Sequence, residues 1–78
     1  RVLDCYILIG ISYKRSDKFQ EALEAYSKAL QISEEFNLHN EKGIIYHNIG
    51  TLNSAMGKNN QAIEYYKKSI DNKVDPSE

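Results

Sequence analysis

One cysteine and two histidines are the side chains of this 78-residue chain best suited to nucleophilic or metal chemistry. His39 and His47 lie eight positions apart, about two helical turns, which is too far for neighbouring metal ligands on one helix. Glu35 or Glu41 could complete such a site, although two solvated histidines are the expected state. Cys5 lies in the most apolar stretch of the chain, where a cysteine is typical of a small buried hydrophobic residue. Because no nucleophile pairs with a base and no glycine-rich phosphate loop occurs, the sequence predicts no catalytic residue, metal site or cofactor.

Composition and charge exclude several classes of partner. Hydrophobic residues make up 41% and charged residues 27% of the chain, the balance of a small globular domain. The net charge of -1 leaves no dense basic face for nucleic acid. The longest apolar stretch, residues 5–11, is far shorter than the roughly 20 residues that cross a bilayer. A lone cysteine and a start at Arg1 without a signal-peptide pattern predict a piece of a longer cytoplasmic protein with no membrane partner.

The chain repeats itself when it is shifted by forty residues. Identical or similar residues then fall on one another in order and without a gap, in the pairs Tyr6/Tyr46, Ile9/Ile49, Gly10/Gly50, Lys18/Lys58, Ala22/Ala62, Leu23/Ile63, Glu24/Glu64, Tyr26/Tyr66, Lys28/Lys68 and Leu30/Ile70. This match predicts two copies of one unit. We predict one domain over residues 1–78, divided into repeat one over 2–38, repeat two over 40–73 and a C-terminal tail over 74–78.

The spacing within each copy predicts a pair of helices. Apolar residues that recur at i, i+1, i+4, i+7 and i+8 form one face of a helix, as in Ala22, Leu23, Tyr26, Ala29 and Leu30. A similar stripe lies upstream, at Tyr6, Ile9, Gly10 and Tyr13. Polar breaks over 16–18 and 57–60 separate the helices, with Asp17 expected to cap the second helix and Gly57 to end the third. The predicted fold is all-α, a solenoid of two helix-turn-helix hairpins; a strand over 2–13 is the alternative, which the helical pattern of 44–56 disfavours.

Two glycines at equivalent positions indicate where the helices approach. Gly10 and Gly50 lie inside predicted helices, where glycine costs about 1 kcal/mol relative to alanine. Their recurrence predicts close helix packing, with Gly10 against Ala22 and Gly50 against Ala62. The wider gaps on either side are expected to be filled by the four repeated tyrosines, Tyr6, Tyr26, Tyr46 and Tyr66.

These residues resemble the tetratricopeptide repeat, a helical hairpin with an aromatic residue, Leu-Gly and Tyr on its first helix and Ala, an aromatic residue and Ala on its second. The first copy carries this pattern at Tyr6, Ile9-Gly10, Tyr13, Phe19, Ala22, Tyr26 and Ala29. The second carries it at Tyr46, Ile49-Gly50, Gly57, Ala62 and Tyr66, and departs from it at Asn53, Asn59 and Ser69.

The period of forty exceeds the usual thirty-four of that family and places the additional residues in 33–42. Longer hairpins of this kind are similar to those of bacterial cytoplasmic regulators that sense short signalling peptides, the Rap, NprR and PlcR type. The resemblance implies a module that binds an extended peptide or a partner segment on a concave wall lined by the first helix of each hairpin.

The resemblance also implies which residues form that wall. In the second copy, polar or small groups beside the apolar stripe are His47, Asn48, Thr51 and Ser54. Asn48 stands where peptide-contacting asparagines stand in the family, and its amide can donate to and accept from one peptide bond. The alternative is that Asn48 is a tolerated surface residue.

In the first copy, Ile7, Leu8 and Ile11 make the helix hydrophobic nearly all round. They line an apolar peptide pocket, pack on a further chain segment or form a dimer contact. Two repeats are also fewer than such arrays need, so we expect self-association or marginal stability. The sequence therefore leaves two functions open: a peptide- or partner-binding module, or purely structural repeats that mediate homo-oligomerisation.

Overall fold

The computed structural model describes residues 2–72, and within them the chain is entirely helical apart from three turns. The four helices are α1 (Val2–Arg15), α2 (Phe19–Glu35), α3 (His39–Ala55) and α4 (Asn59–Asn72). The all-α prediction is confirmed, and the strand alternative for the opening segment is wrong. The predicted tail over 74–78 lies outside the described residues.

The three turns share one backbone geometry. Each contains a single residue with positive φ: Asp17 at 61°, Asn37 at 56° and Gly57 at 81°. The following N–H bonds to the carbonyl five residues earlier, as from Lys18 to Tyr13 at 2.9 Å, the Schellman way of ending a helix. Asp, Asn and Gly are the residue types that tolerate this left-handed conformation best. They stand here at positions 17, 37 and 57, so the turns fall at twenty-residue intervals.

The expected capping role of Asp17 is wrong. The N-cap of α2 is Lys18, and no side chain bonds to the free N–H groups at that end. Asp17 instead takes the left-handed position just after α1. Asp17 therefore contributes to the turn by tolerating a left-handed backbone conformation, and not by a hydrogen bond from its carboxylate to the start of α2.

The helices pack as two antiparallel hairpins joined in the middle. α1 packs along α2, α3 packs along α4, and α2 and α3 connect the hairpins. α1 and α3 also touch, so these two helices lie side by side on one surface, called here the α1/α3 face.

The core lies where α1, α2 and α3 meet. Its buried members are Leu3, Ala22, Tyr26, Ala29, Ile45, Ile49 and Leu52. Two predictions about α1 are wrong, since Ile9 is 43% exposed and Cys5 is exposed as well. The reason is position in the array: α1 packs mainly on one neighbour, whereas α3 lies between α2 and α4. Leu3 takes the inward position instead.

Tyrosine rings, rather than alanines, occupy the space that the two glycines leave. A Cβ on Gly10 would overlap the ring of Tyr26, with Cδ1 at 2.6 Å, and no atom of Ala22 is among its nearest neighbours. At Gly50 the ring of Tyr66 lies at 2.6 Å and the carbonyl oxygen of Ala62 at 3.2 Å. The three atoms nearest to such a Cβ at Gly10 thus all belong to Tyr26. At Gly50 the predicted neighbour Ala62 also lies close, through its carbonyl oxygen.

The two glycines give a matched test of this packing. We expect Gly10→Ala to lower the free energy of unfolding by about 1–3 kcal/mol, because the ring of Tyr26 is fully buried and cannot move aside. Gly50→Ala should cost less, since the half-buried ring of Tyr66 can swing outward and alanine favours the helix by about 1 kcal/mol. Urea unfolding followed by circular dichroism measures both, with the exposed Ser27→Ala as a control. Equal effects at the two glycines would contradict this account.

The hydroxyl of Tyr26 is buried without a hydrogen-bond partner among the described residues. Burial also raises the pKa of Tyr26, because the charged phenolate would lose its water. An unsatisfied buried polar group costs about 1–3 kcal/mol. The ring of Tyr26 therefore contributes through its shape, and we expect its hydroxyl to weaken the fold.

We expect Tyr26→Phe to raise the free energy of unfolding by about 1 kcal/mol. A phenol whose pKa is raised in the folded state loses stability as the pH rises past its unfolded value of about 10, so the substitution should also reduce that alkaline loss. Urea titrations at neutral and alkaline pH measure both effects. Tyr66→Phe, at a half-buried ring, is the control and should change stability by less than about 0.5 kcal/mol. A destabilising Tyr26→Phe would show that the hydroxyl has a partner in solution.

Candidate functional site

An open apolar cavity of about 300 Å³ lies on the α1/α3 face. Its lining side chains come from both helices and are Asp4, Ile7, Leu8, Glu41 and Ile44. Leu8 is 65% exposed and Ile44 is 44% exposed, so the floor of the cavity is apolar and open to solvent. Such a depression can hold one aliphatic or aromatic side chain of a partner.

Polar groups continue the same face toward the C-terminal ends of both helices. Lys14 on α1 donates a hydrogen bond to the hydroxyl oxygen of Thr51 on α3 at 3.4 Å. The Thr51 hydroxyl in turn donates to the backbone carbonyl of Asn48 at 2.8 Å. These bonds orient Thr51 and tie the two helices together across the surface.

Asn48 lies between the cavity and this polar pair, one helical turn from each. Its side chain is half-buried, and within residues 2–72 its carboxamide makes no hydrogen bond. An unbonded carboxamide in a partly enclosed position retains one acceptor and two donor hydrogens. The α1/α3 face thus presents an apolar cavity and, beside it, a group able to pair with a peptide bond.

The structure separates the residues that the sequence grouped as a binding wall. Asn48 and Thr51 lie on the α1/α3 face, and Ser54 is exposed near the end of α3. His47 does not join them, because its ring lies 5.5 Å from the ring of Tyr66 on α4. A step of one residue turns a side chain by about 100° around the helix, which directs His47 toward the partner helix of its hairpin.

The three apolar residues of α1 that were predicted to contact a partner also differ in their exposure. Ile7 and Ile11 are half-buried and pack against the core, whereas Leu8 remains exposed. Ile7 still contributes an edge to the cavity. Because the core takes up much of Ile7 and Ile11, Leu8 is the α1 side chain most available to a partner.

Sequence reasoning missed Ile44 and Lys14 as members of this face. Ile44 precedes Asn48 by four residues and Thr51 by seven, the spacing of one helix face, so a signal was present. Lys14 could not be found in this way, because its contact with Thr51 joins positions 37 residues apart.

The packing between α3 and α4 contains a separate aromatic cluster. The rings of Tyr46 and Tyr65 stack with centroids 6.1 Å apart, and the Lys68 ammonium lies 5.7 Å and 5.2 Å from them. Burial first, and then the negative charges of Glu34 and Tyr65, raise the pKa of Tyr46. An ammonium group over two rings is a favourable cation–π contact, and here it links α3 to α4.

The described part of the chain contains neither a candidate metal site nor a candidate membrane-spanning helix. Residues 2–72 contain no group of three or more His, Cys, Asp or Glu side chains placed to hold a metal ion. None of the four helices combines the length and apolar character needed to span a membrane. The fold defines a class of protein, the helical-hairpin repeat, and its α1/α3 face carries an open apolar cavity.

Comparison with known proteins identifies the family. The family model described as tetratricopeptide repeat matches residues 3–73, almost the whole chain. The chain belongs to the tetratricopeptide repeat family, as the resemblance predicted. It is therefore a protein-interaction module, and the prediction of a non-enzymatic protein is confirmed by this family and its relatives. No solved structure gives a significant match.

Two kinds of curated relative share this repeat. The transcriptional activator NprA of Geobacillus stearothermophilus is 40% identical over 70 residues, which cover 90% of this chain and 17% of that protein. The photosystem I assembly protein Ycf3 of Rippkaea orientalis is 33% identical over 66 residues, which cover 85% of this chain and 36% of that protein. Ycf3 of Cyanophora paradoxa is 30% identical over the same length, covering 85% of this chain and 36% of that protein. The chain thus spans about a sixth to a third of these relatives.

Two asparagines on α3 differ in how their side chains are bonded. Asn53 is buried, and its Nδ2 donates to the carbonyl oxygen of Ile49 at 2.9 Å, whereas the Asn48 carboxamide makes no hydrogen bond to another described residue. We expect Asn53→Ala to be less stable than Asn48→Ala by about 1 kcal/mol, the worth of one net hydrogen bond. Because both changes are Asn to Ala within one helix, helix propensity cancels in the difference. Thermal or urea unfolding measures this difference in stability. A larger loss of stability for Asn48→Ala than for Asn53→Ala would show that Asn48 stabilises the fold.

Proposed function

We propose that this module binds an extended peptide or partner segment along the α1/α3 face, with Asn48 gripping the backbone of the ligand. The observation that carries the proposal is the half-buried carboxamide of Asn48, which no other residue of 2–72 bonds, beside an open apolar cavity. Its side-chain oxygen would accept from a peptide N–H, while its Nδ2 donates to a peptide carbonyl. Such a contact holds any extended segment irrespective of its sequence.

The cavity would supply the sequence preference. Ile44 and Asn48 are separated by four residues, about 6 Å along the helix axis. An extended peptide advances about 3.3 Å per residue, so the side chain that enters the cavity lies about two residues from the peptide bond held by Asn48. Leu8 and Ile44 favour an apolar side chain at that position.

We further propose that the module belongs to a bacterial cytoplasmic regulator controlled by peptide or partner binding. The similarity to a transcriptional activator over 90% of this chain supports this role. The net charge of -1 means that the module itself would recognise polypeptide, with DNA contacts made elsewhere in such a regulator.

A random seven-residue peptide library displayed on phage tests the proposal. The strongest selected peptide is labelled with fluorescein, and its affinity is measured by fluorescence anisotropy. We expect Asn48→Ala to weaken binding about fivefold or more, because about 1 kcal/mol of paired hydrogen bonding is lost. Leu8→Glu should also weaken binding, since it places a charge at the apolar cavity.

His47→Ala is the matched control, because His47 is adjacent in sequence but directed toward Tyr66. It should leave the affinity within about twofold of the parent chain, under the ~1 kcal/mol expected for a lost contact. Failure to select any peptide, or a selected peptide that tolerates both Asn48→Ala and Leu8→Glu, would count against binding on this face.

A further inference from the structure

A second cavity, about 330 Å³ in volume, lies between α2 and α4 beside the C-terminal end of α3. Leu23 of α2, Asn53 of α3 and Tyr65 of α4 are among its lining residues. Among the described residues, it shares no lining residue with the cavity on the α1/α3 face. Because α2 and α4 form its two walls and α3 its floor, it is a separate candidate site built from the inside of the chain.

The floor of this cavity lies where the second repeat has lost an aromatic ring. A shift of forty residues places Asn53 on Tyr13, whose ring packs against the core. The same shift places the exposed Asn59 on Phe19, which also packs against the core. The second hairpin thus lacks the two rings that the first hairpin carries on either side of its turn, and the cavity opens at that end of the second hairpin.

The carboxamide of Asn53 keeps a hydrogen-bond acceptor available in this cavity. Asn53 is 7% exposed, and its Nδ2 donates to the carbonyl oxygen of Ile49 at 2.9 Å. Its Oδ1 accepts no hydrogen bond from another described residue. This oxygen is not sealed inside the fold, because within residues 2–72 the Tyr26 hydroxyl is the one fully enclosed polar side-chain atom without a partner. Since Asn53 lines the cavity, a ligand in the cavity can donate a hydrogen bond to Oδ1.

We propose that this cavity binds the side chain of a tyrosine from a partner polypeptide. The phenol ring restores the aromatic group that Asn53 replaces, and its hydroxyl donates to Oδ1 of Asn53. An apolar cavity of about 150 Å³ holds a benzene molecule, so this cavity has room for a phenol ring and the atoms that join it to a backbone. The half-buried side chains of Leu23, Met56 and Tyr65 supply apolar and aromatic surface for the ring.

The charges around the cavity favour an uncharged occupant. Lys58, Glu64 and Lys68 line it, and the Lys68 ammonium lies 5.2 Å from the centroid of the Tyr65 ring. Glu64 offsets the charge of Lys58, and the partial negative charge on Oδ1 of Asn53 repels an anion. A neutral phenol suits this lining, whereas a phenylalanine ring would leave Oδ1 without a donor.

The rim of the cavity favours a tyrosine within a polypeptide over a free phenol. The exposed side chains of Gln20 and Gln61 lie on opposite walls. Each carboxamide can donate to and accept from a peptide group that flanks the bound tyrosine. A free phenol has no such groups and would leave these contacts unmade.

NMR titrations of the ¹⁵N-labelled chain with N-acetyl-tyrosinamide test this site. We expect chemical-shift changes at Asn53, Met56 and Gln61 with a Kd of about 1–10 mM, because one ring buries little apolar area. N-acetyl-phenylalaninamide should bind about fivefold more weakly, since its ring donates no hydrogen bond. The bare side chain, 4-methylphenol, should also bind more weakly, because it lacks the flanking peptide groups.

Asn53→Tyr places the residue of the first repeat at the equivalent position of the second. It should abolish the binding of N-acetyl-tyrosinamide, because the chain's own ring then fills the cavity. Asn40→Tyr is the matched control, since it makes the same exchange at an exposed position of α3 outside the cavity. This control should bind N-acetyl-tyrosinamide like the parent chain.

Circular dichroism checks that both variants keep their helical content. If Asn53→Tyr unfolds, the comparison of the tyrosine and phenylalanine amides on the parent chain decides the question without any variant. The proposal is overturned by a parent chain whose cavity residues show no shift changes up to about 20 mM ligand, or by equal affinity for the two amides. Equal affinity for 4-methylphenol, or a folded Asn53→Tyr that binds like the parent chain, would overturn it as well.

Discussion

The contact between a tyrosine ring and a glycine backbone is the constraint on which both hairpins depend. Tyr26 lies over Gly10, and Tyr66 lies over Gly50, at distances that leave no room for a side chain on either glycine. Since a flat ring replaces a layer of interdigitating side chains, the two helices of each hairpin approach closely. That approach fixes the position of α1 relative to α2 and of α3 relative to α4. The side-by-side placement of α1 and α3 follows from it once α2 packs on α3.

Each helix uses its surfaces differently because of its place in the array. α3 is surrounded most fully: it buries one face on α2 and another on α4, which leaves Asn48 and Thr51 on the α1/α3 face. Within residues 2–72, α1 packs mainly on α2 and α4 on α3, so apolar residues such as Ile9 and Ile70 lie exposed on these two helices.

The sequence was a good guide to the helices and their pairing, but not to the role of Asp17 in the first turn. The all-α fold, the two hairpins and the family could be predicted, because periodicity and the forty-residue repeat are properties of the chain itself. The burial predicted for Ile9 and Cys5 was wrong, and the placement of His47 beside Tyr66 was not foreseen, because the surroundings of these residues depend on which neighbouring helix is present. Ile9 and Ile49 are identical residues at equivalent positions, yet one is 43% exposed and the other 3%. No local pattern distinguishes them.

By itself the sequence determined the helices, the left-handed residues that end them and the repetition of both, because these follow from short-range sterics and the spacing of apolar residues. Only the tertiary structure decided what each face meets. It placed the ring of Tyr26 over Gly10, joined Lys14 to Thr51 across the α1/α3 face and turned His47 toward Tyr66. Such contacts depend on the angles and distances between helices, which the packing of side chains from different helices sets.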